Sequence, residues 1–307
     1  MLKNIYVLDK NINIFKYRFI KCFISIIHII LILINYIFLN KKIKNNNELI
    51  GLCVIGRNEN LYIKEFVRHY RKLGYNHIFL YDNNDLNGEK FEDVISNEIS
   101  NGFVSIINYR GKRGKNIHPQ SDAYRDCYKK NNQQYIWLSF FDIDEYLHLI
   151  PENLKIYNFL NKLKFKKCQI IKINWLCYTN ENSLYYRNLP LKKRIKTVLY
   201  NNTNNYHIKS TVRGNLSQNY WTKMENPHTS INDYISCNSN GNIINSSSPF
   251  NYQVDYNYSY LKHYIKKSFE EYCLKIKRGR PLPQYKYFRE KYLKNLIKEN
   301  KNIIYLI

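Results

Sequence analysis

By hydropathy, the chain falls into three regimes. Cys22 to Leu39 carries no formal charge and is mostly Ile, Leu and Phe, close to the about 20 apolar residues a helix needs to cross a bilayer. From Glu48 the pattern becomes an alternation. Residues 49–56 are an apolar run closed by Gly56, as expected of a strand covered on both faces. Residues 60–74 place Leu61, Phe66, Val67, Tyr70 and Leu73 at largely helical spacing, with Gly74 as C-cap. A second strand follows at 77–81 with a turn at Asn87-Gly88, then a helix over 90–100, a strand over 103–109, a helix over 120–130 and a fourth strand over 134–141. Strands alternating with helices predict an α/β fold with a mostly parallel sheet flanked by helices.

The third regime is less regular. Residues 201–260 are rich in Asn, Ser and Tyr and predict long loops or a weakly ordered lid. Ser268 to Lys277 reads as an amphipathic helix with Phe269, Tyr272, Cys273 and Ile276 on one face, and the tail from Tyr285 as a basic surface helix.

Charge changes this picture little. The 48 Lys and Arg against 24 Asp and Glu give a net charge of +24, but they are spread along the chain and accompany no zinc-finger or RNP-like motif. A solvated basic surface is therefore expected and a nucleic-acid partner is not. The 7 cysteines include no C-x-x-C pair, which argues against a zinc site or a disulfide framework. A single bridge, such as Cys168 to Cys177, fits an oxidising lumen. Basic residues before the apolar span (Lys3, Lys10, Lys16, Arg18, Lys21) outnumber those just after it (Lys41, Lys42, Lys44), favouring a cytoplasmic N-terminus. No small-residue cleavage site follows, so an uncleaved anchor is expected.

Candidate chemistry lies where the strands end, the edge at which parallel sheets bind ligands. Arg57, Asn58 and Glu59 follow the first strand, Asp82 and Asn83 the second, and Asp142 and Asp144 the fourth. Two carboxylates spaced i, i+2 at a strand end can approach one hard cation, and oxygen ligands suit Mg²⁺ or Mn²⁺. The bland alternatives are that Asp142 or Asp144 caps a helix and that Asp82 and Asn83 make a turn. A D-x-D-x-T/V phosphatase is disfavoured by Tyr146 in place of Thr or Val.

Taken in order, C-V-I-G-R-N-E, F-V-R-H-Y-R-K-L-G, I-F-L-Y-D-N-N, Q-x-x-A-Y-R-D-C (120–127), W-L-S-F-F-D-I-D-E-Y-L (137–147), I-N-W (173–175), K-S-T-V-R (209–213), His228 and H-Y-x-x-K-S-F-E-E-Y-x-x-K-x-x-R-G (263–279) resemble the family-2-like and family-92 glycosyltransferases. The resemblance covers most of residues 48–280. It implies a GT-A fold, a nucleotide-sugar donor, a D-x-D site for Mn²⁺ or Mg²⁺ and an inverting transfer to a glycan or other hydroxyl acceptor. It places Arg57, Asn58 and Glu59 near the nucleotide, Asp82 and Asn83 beside base or ribose, and Gln120 in the donor set. Lys209 and Arg213 would neutralise the leaving diphosphate, and Asp142, Asp144 and His263 would hold the metal. Glu225 and Asp233 are candidate bases, with Glu145 a further one, and His228 is either structural or in the site. Arg57 replaces the usual Lys, offering a forked donor, and L-C-Y-T-N after Trp175 lacks the family's Phe-Gly-Ser.

The expected organisation is a cytoplasmic segment (1–18), a transmembrane signal anchor (19–40), a linker (41–47), a catalytic domain (48–280) and a C-terminal basic tail (281–307). This corresponds to a single-pass type II membrane protein, in the Golgi or ER lumen if eukaryotic and otherwise in a cell or viral membrane. The rival expectation is a non-catalytic, membrane-tethered basic protein that binds an anionic polymer.

Overall fold

The apolar run after Glu48 forms strand β1 (Ile50–Gly56), buried almost throughout because its side chains enter core clusters on both faces of the sheet. It pairs in parallel with β2 (His77–Asp82) and with β4 (Trp137–Phe140), and β2 pairs in parallel with β3 (Val104–Asn108). Helices α1 (Asn60–Leu73), α2 (Glu92–Ser100) and α3 (Pro119–Asn131) make the crossovers. The computed structural model describes residues 48–112, 118–180, 183–218, 220, 228, 234–244 and 247–278, together with 23, 25–27 and 29–31.

Packing sets the helix faces. On α1 the buried set is Tyr62, Ile63, Phe66, Val67, Tyr70 and Leu73, whereas Leu61, expected on that face, is 52% exposed. Gly74 ends the helix at φ 92°, the left-handed conformation that glycine adopts without strain.

Beyond β4 the sheet is mixed. It continues through β5 (Glu145–Leu149), β6 (Ile170–Thr179), β7 (Thr197–Leu199), β8 (Ile208–Arg213), β9 (Ser236–Asn238) and β10 (Ser259–Lys266), in the order β3-β2-β1-β4-β8-β6-β10-β5, with β7 and β9 pairing β6. The β4–β8, β8–β6, β10–β5 and β6–β7 pairs are antiparallel. The parallel rule thus holds through β3-β2-β1-β4 and lapses beyond β4, where β8 runs antiparallel to both β4 and β6.

Two expectations are corrected here. Residues 201–260 are not wholly loop, because β8 lies in the middle of the sheet. Its sequence, IKSTVR, reads as polar, yet Lys209, Ser210 and Thr211 are buried, and Ser139 and Thr211 share a hydroxyl hydrogen bond at 2.8 Å. The disulfide joins Cys168 to Cys237, tying the segment just before β6 to β9, while Cys177 is a buried free thiol.

Helix α4 (Ile156–Leu160), the short α5 (Leu191–Arg194) and α6 (Phe269–Arg278) complete the described elements that bear on the site. The anchor at 19–40 falls largely outside the described residues, and no described helix is long and apolar enough to cross a membrane. The few described positions there are helical, and Phe23, Ile26, Ile27, Ile29, Ile30 and Leu31 are exposed. The tail at 281–307 also lies outside the described residues.

Candidate functional site

The turn Asp142-Ile143-Asp144 links β4 to β5. Its middle residue is drawn into the core: Ile143 is 2% exposed, and a Cβ on Gly56 would lie 2.5 Å from its Cδ1 and 2.8 Å from Phe91 Cζ. Glycine at the end of β1 therefore makes room for the turn, which leaves the two flanking carboxylates at the sheet edge. A strand follows, with Glu145 N–H donating to Asp142 O at 3.0 Å, so neither aspartate caps a helix.

Asp142 is held from three directions. Its Oδ1 accepts from Gln120 Nε2 at 2.7 Å and Tyr124 OH at 3.1 Å, and its Oδ2 from Lys209 Nζ at 2.8 Å. Asp144 Oδ2 accepts from Lys275 Nζ at 3.0 Å, and its Oδ1 lies 3.7 Å from His263 Nε2. Burial pushes both carboxyl pKa values up, but it is outweighed. Lys209 holds Asp142 below the usual range, and Lys275 with His263 holds Asp144 well below it. Both stay ionised at neutral pH. Glu145 behaves oppositely: fully buried, with Oε2 accepting from Asp142 N, it is pushed well above the usual carboxyl value by burial and by both aspartates, Lys209 only partly offsetting them.

A cavity of about 510 Å³ opens beside this turn. Arg57, Asn58 and Glu59 line it from the end of β1, Asp85, Gly88 and Glu89 from the loop after β2, Lys267 from the link between β10 and α6, and Glu271, Lys275, Lys277 and Arg278 from α6. Lys275 belongs to both places, lining the cavity while bonding Asp144. Burial pulls the pKa of Lys267 down, and its ammonium lies 4.2 Å from the Tyr62 ring centroid. Arg278 Nη1 donates to Arg57 O at 2.9 Å and to Glu59 Oε1, tying α6 to the end of β1. A buried network fixes the start of α6: Arg194 donates to both Glu271 oxygens at 2.7 and 2.6 Å, Tyr62 OH donates at 2.7 Å, and Ser268 Oγ at 2.7 Å.

The sequence-derived candidates divide accordingly. Arg57, Asn58 and Glu59 line the cavity, and Gln120, Lys209, Asp142, Asp144 and His263 converge on the turn. Asp82 and Asn83 are spent on loop structure. Asp82 accepts from Asn84 N at 2.9 Å and from Arg110 at 2.5 Å, and Asn83 donates to the Tyr109 and Lys112 carbonyls. Arg110 also binds carbonyls of Asp85, Leu86, Gly88 and Glu89, which shapes the cavity rim. Arg213 pairs with Trp137, at the start of β4 and so at the opposite end of the strand from Asp142, and donates to the Cys168 and Phe165 carbonyls. It cannot meet a diphosphate at the turn. Glu145 is sealed beneath the turn, so no substrate hydroxyl reaches it. Glu225 and Asp233 lie outside the described residues. Lys267, Lys275 and Arg278 were missed as site residues, although the run H-Y-x-x-K-S-F-E-E-Y-x-x-K-x-x-R-G contains all three.

On the β6 side of Asp144, Trp175 is ringed by histidines. Ring centroids lie 4.1 Å away for His263, 4.7 Å for His207 and 5.6 Å for His228. His228 accordingly belongs to the site's wall, and its Nδ1 bonds the Ile208 carbonyl. Burial and the Lys209 charge lower its pKa to about 3, with Asp142 opposing.

As a metal site the turn is incomplete as it stands, because no three Asp, Glu, His or Cys side chains among the described residues converge closely enough to enclose an ion. The donor chemistry nonetheless fits a divalent cation. Asp144 Oδ1 and His263 Nε2 are neighbours at 3.7 Å, and Asp142 is 34% exposed with Lys209 on its Oδ2. Carboxylate oxygen with one imidazole nitrogen suits Mn²⁺ or Mg²⁺.

Among known proteins, the family model described as "Glycosyltransferase family 92" matches residues 50–301. A glycosyltransferase family 92 protein of Oryza sativa subsp. japonica is 25% identical over 127 residues, which is 41% of this chain and 20% of that protein. One of Ricinus communis is 28% identical over 109 residues, 34% of this chain and 18% of that protein. The matched stretch thus spans about a fifth of these relatives' own length. Weaker likenesses exist to solved structures. S. aureus TarS 1–349 gives a TM-score of 0.34 at 9% identity, covering 81% of this chain and 70% of that one. The mannosyltransferase PcManGT from Pyrobaculum calidifontis, in complex with GDP-Man and Mn²⁺, gives 0.29 at 12% identity, covering 53% and 45%.

Proposed function

The chain belongs to glycosyltransferase family 92, and from that premise we propose that it transfers a sugar from a nucleoside-diphosphate donor, seated in the cavity under α6, to a hydroxyl acceptor. One observation carries this reading: Lys275 lines the cavity and also bonds Asp144. A pocket of nucleotide size, with Arg57, Lys267, Lys275, Lys277 and Arg278 on its wall, therefore abuts the ionised carboxylates at the carboxyl edge of the parallel strands. GT-A is the architecture this arrangement supports.

In the proposed reaction the acceptor oxygen attacks the anomeric carbon, the bond from that carbon to the diphosphate oxygen breaks, and its electron pair leaves with the nucleoside diphosphate. Lys267 and Lys275 stabilise the charge that grows there. Lys209 holds Asp142 in place from beneath. A divalent cation bound by Asp142, Asp144 and His263 would supply further positive charge to the diphosphate. Inversion requires a base on the face opposite the leaving group, for which Glu225 and Asp233 stay the candidates. The anchor reading stands as part of the proposal: exposed apolar residues at 23–31 support it, and the Cys168–Cys237 bridge supports an oxidising compartment for the catalytic domain.

Thermal shift with UDP, GDP and CMP, each with and without Mn²⁺, tests the reading. One nucleotide is expected to stabilise the protein, and Lys275→Ala and Lys267→Ala are each expected to weaken that nucleotide about tenfold, as loss of a charged hydrogen bond does. Stabilisation by polyphosphate and by none of the nucleotides would favour the polymer-binding alternative.

A further inference from the structure

Three polar atoms around Trp175 are buried without a hydrogen-bond partner: Trp175 Nε1, His207 Nδ1 and His263 Nδ1. Native structures leave few such atoms, and each demands an explanation because an unmade buried hydrogen bond is costly. Here they share one neighbourhood. His207 lies 4.7 Å from Trp175 with the rings tilted by 32°, His263 lies 4.1 Å from it, and Phe250 lies 4.6 Å from His207. His263 is 9% exposed, and its other nitrogen faces Asp144.

We propose that Trp175, His207 and His263 form the seat of a pyranose ring. The inference rests on the nucleotide-sugar reading for its place in the reaction, and on the unpartnered atoms for its chemistry. A pyranose offers an apolar C–H face for the aromatic rings and a rim of hydroxyls for the nitrogens. The indole N–H donates, and each imidazole Nδ1 donates or accepts according to tautomer. Position favours the same ligand. Asp144 is the common border, touched by Lys275 from the cavity and by His263 from the seat. A donor with its diphosphate at Lys275 extends past Asp144, and its sugar, or the acceptor sugar meeting it, lies against Trp175.

Two conservative variants isolate the hydrogen-bonding atoms. Trp175→Phe keeps an aromatic ring and removes the indole N–H, and His207→Phe keeps a ring and removes both nitrogens. Calorimetry compares UDP-glucose, UDP-galactose, UDP-N-acetylglucosamine and GDP-mannose, each with its own nucleoside diphosphate. Saturation-transfer NMR then follows methyl pyranosides of gluco, galacto and manno configuration. If the seat holds the donor's sugar, each variant reduces the affinity ratio of nucleotide-sugar to nucleoside diphosphate about five- to tenfold and leaves the nucleoside diphosphate itself unchanged. If it holds the acceptor's sugar, that ratio is unchanged and pyranoside binding falls by the same factor. Variants that alter neither overturn the seat. A wild-type protein that binds pyranosides through these residues but no nucleotide upholds the seat and overturns the donor reading, so the two failures are distinct.

Discussion

Asp144→Asn is expected to lower the release of nucleoside diphosphate from the nucleotide-sugar about a hundred- to thousandfold, the usual effect of removing one preorganised charge from a reacting centre. The substitution keeps the side chain's shape, and Ile143, not Asp144, anchors the turn in the core. Lys275 loses its carboxylate, and because Lys275 and Asp144 are only 21% and 13% exposed and the ionised Asp144 stabilises the fold, a lower melting temperature is expected alongside the loss of turnover. Steady-state assay of the product beside a melting curve separates chemistry from folding. Full turnover in Asp144→Asn would remove the turn from the mechanism.

Arg194→Met is expected to cost about 3–5 kcal/mol of stability, because it strips the cation from a buried ion pair. Arg194 and Glu271 are 4% and 1% exposed and doubly hydrogen-bonded, and the pair fixes the helix that carries Lys275 and Arg278. Burial raises the Glu271 pKa, but the bonds from Arg194 and Ser268 outweigh it and hold the carboxyl below its usual value. A carboxyl with a depressed folded pKa stabilises fully above its unfolded value of about 4.3, and that contribution is lost as pH falls through the folded value. The gap between wild type and Arg194→Met, read from denaturant midpoints, should therefore hold at neutral pH and narrow only as pH falls below about 4. A loss below about 1 kcal/mol at pH 7 would show that the pair does not secure α6.

The parallel half of the fold was legible because its strands are apolar runs with helices of clear period between them. Local pattern also placed the D-x-D turn at the end of the fourth strand. Three things escaped. The strand at Ile208–Arg213 hides behind Lys209, Ser210 and Thr211, polar residues that are buried, with Asp142 partnering Lys209 and Ser139 partnering Thr211. The bridge from Cys168 to Cys237 depends on β9 returning beside β6, a long-range pairing that spacing does not encode. The mixed roles of strand-end residues were hidden as well: Asp82 and Asn83 follow a strand like Asp142 does, but Arg110 and the loop carbonyls absorb them, whereas Lys275 and Arg278 sat inside an amphipathic pattern that reads as ordinary packing. Leu61 shows the same limit on a smaller scale, since helical spacing fits it to the buried face and the cavity leaves it exposed.

The claim on which the rest depends is that the cavity beneath α6 receives the nucleoside diphosphate. Hydrogen exchange read by mass spectrometry, on the full chain with and without the stabilising nucleotide, tests it most directly. Slowed exchange confined to residues 57–62, 85–89 and 265–278 is the predicted result. Protection only elsewhere, or none at saturating nucleotide, would contradict it.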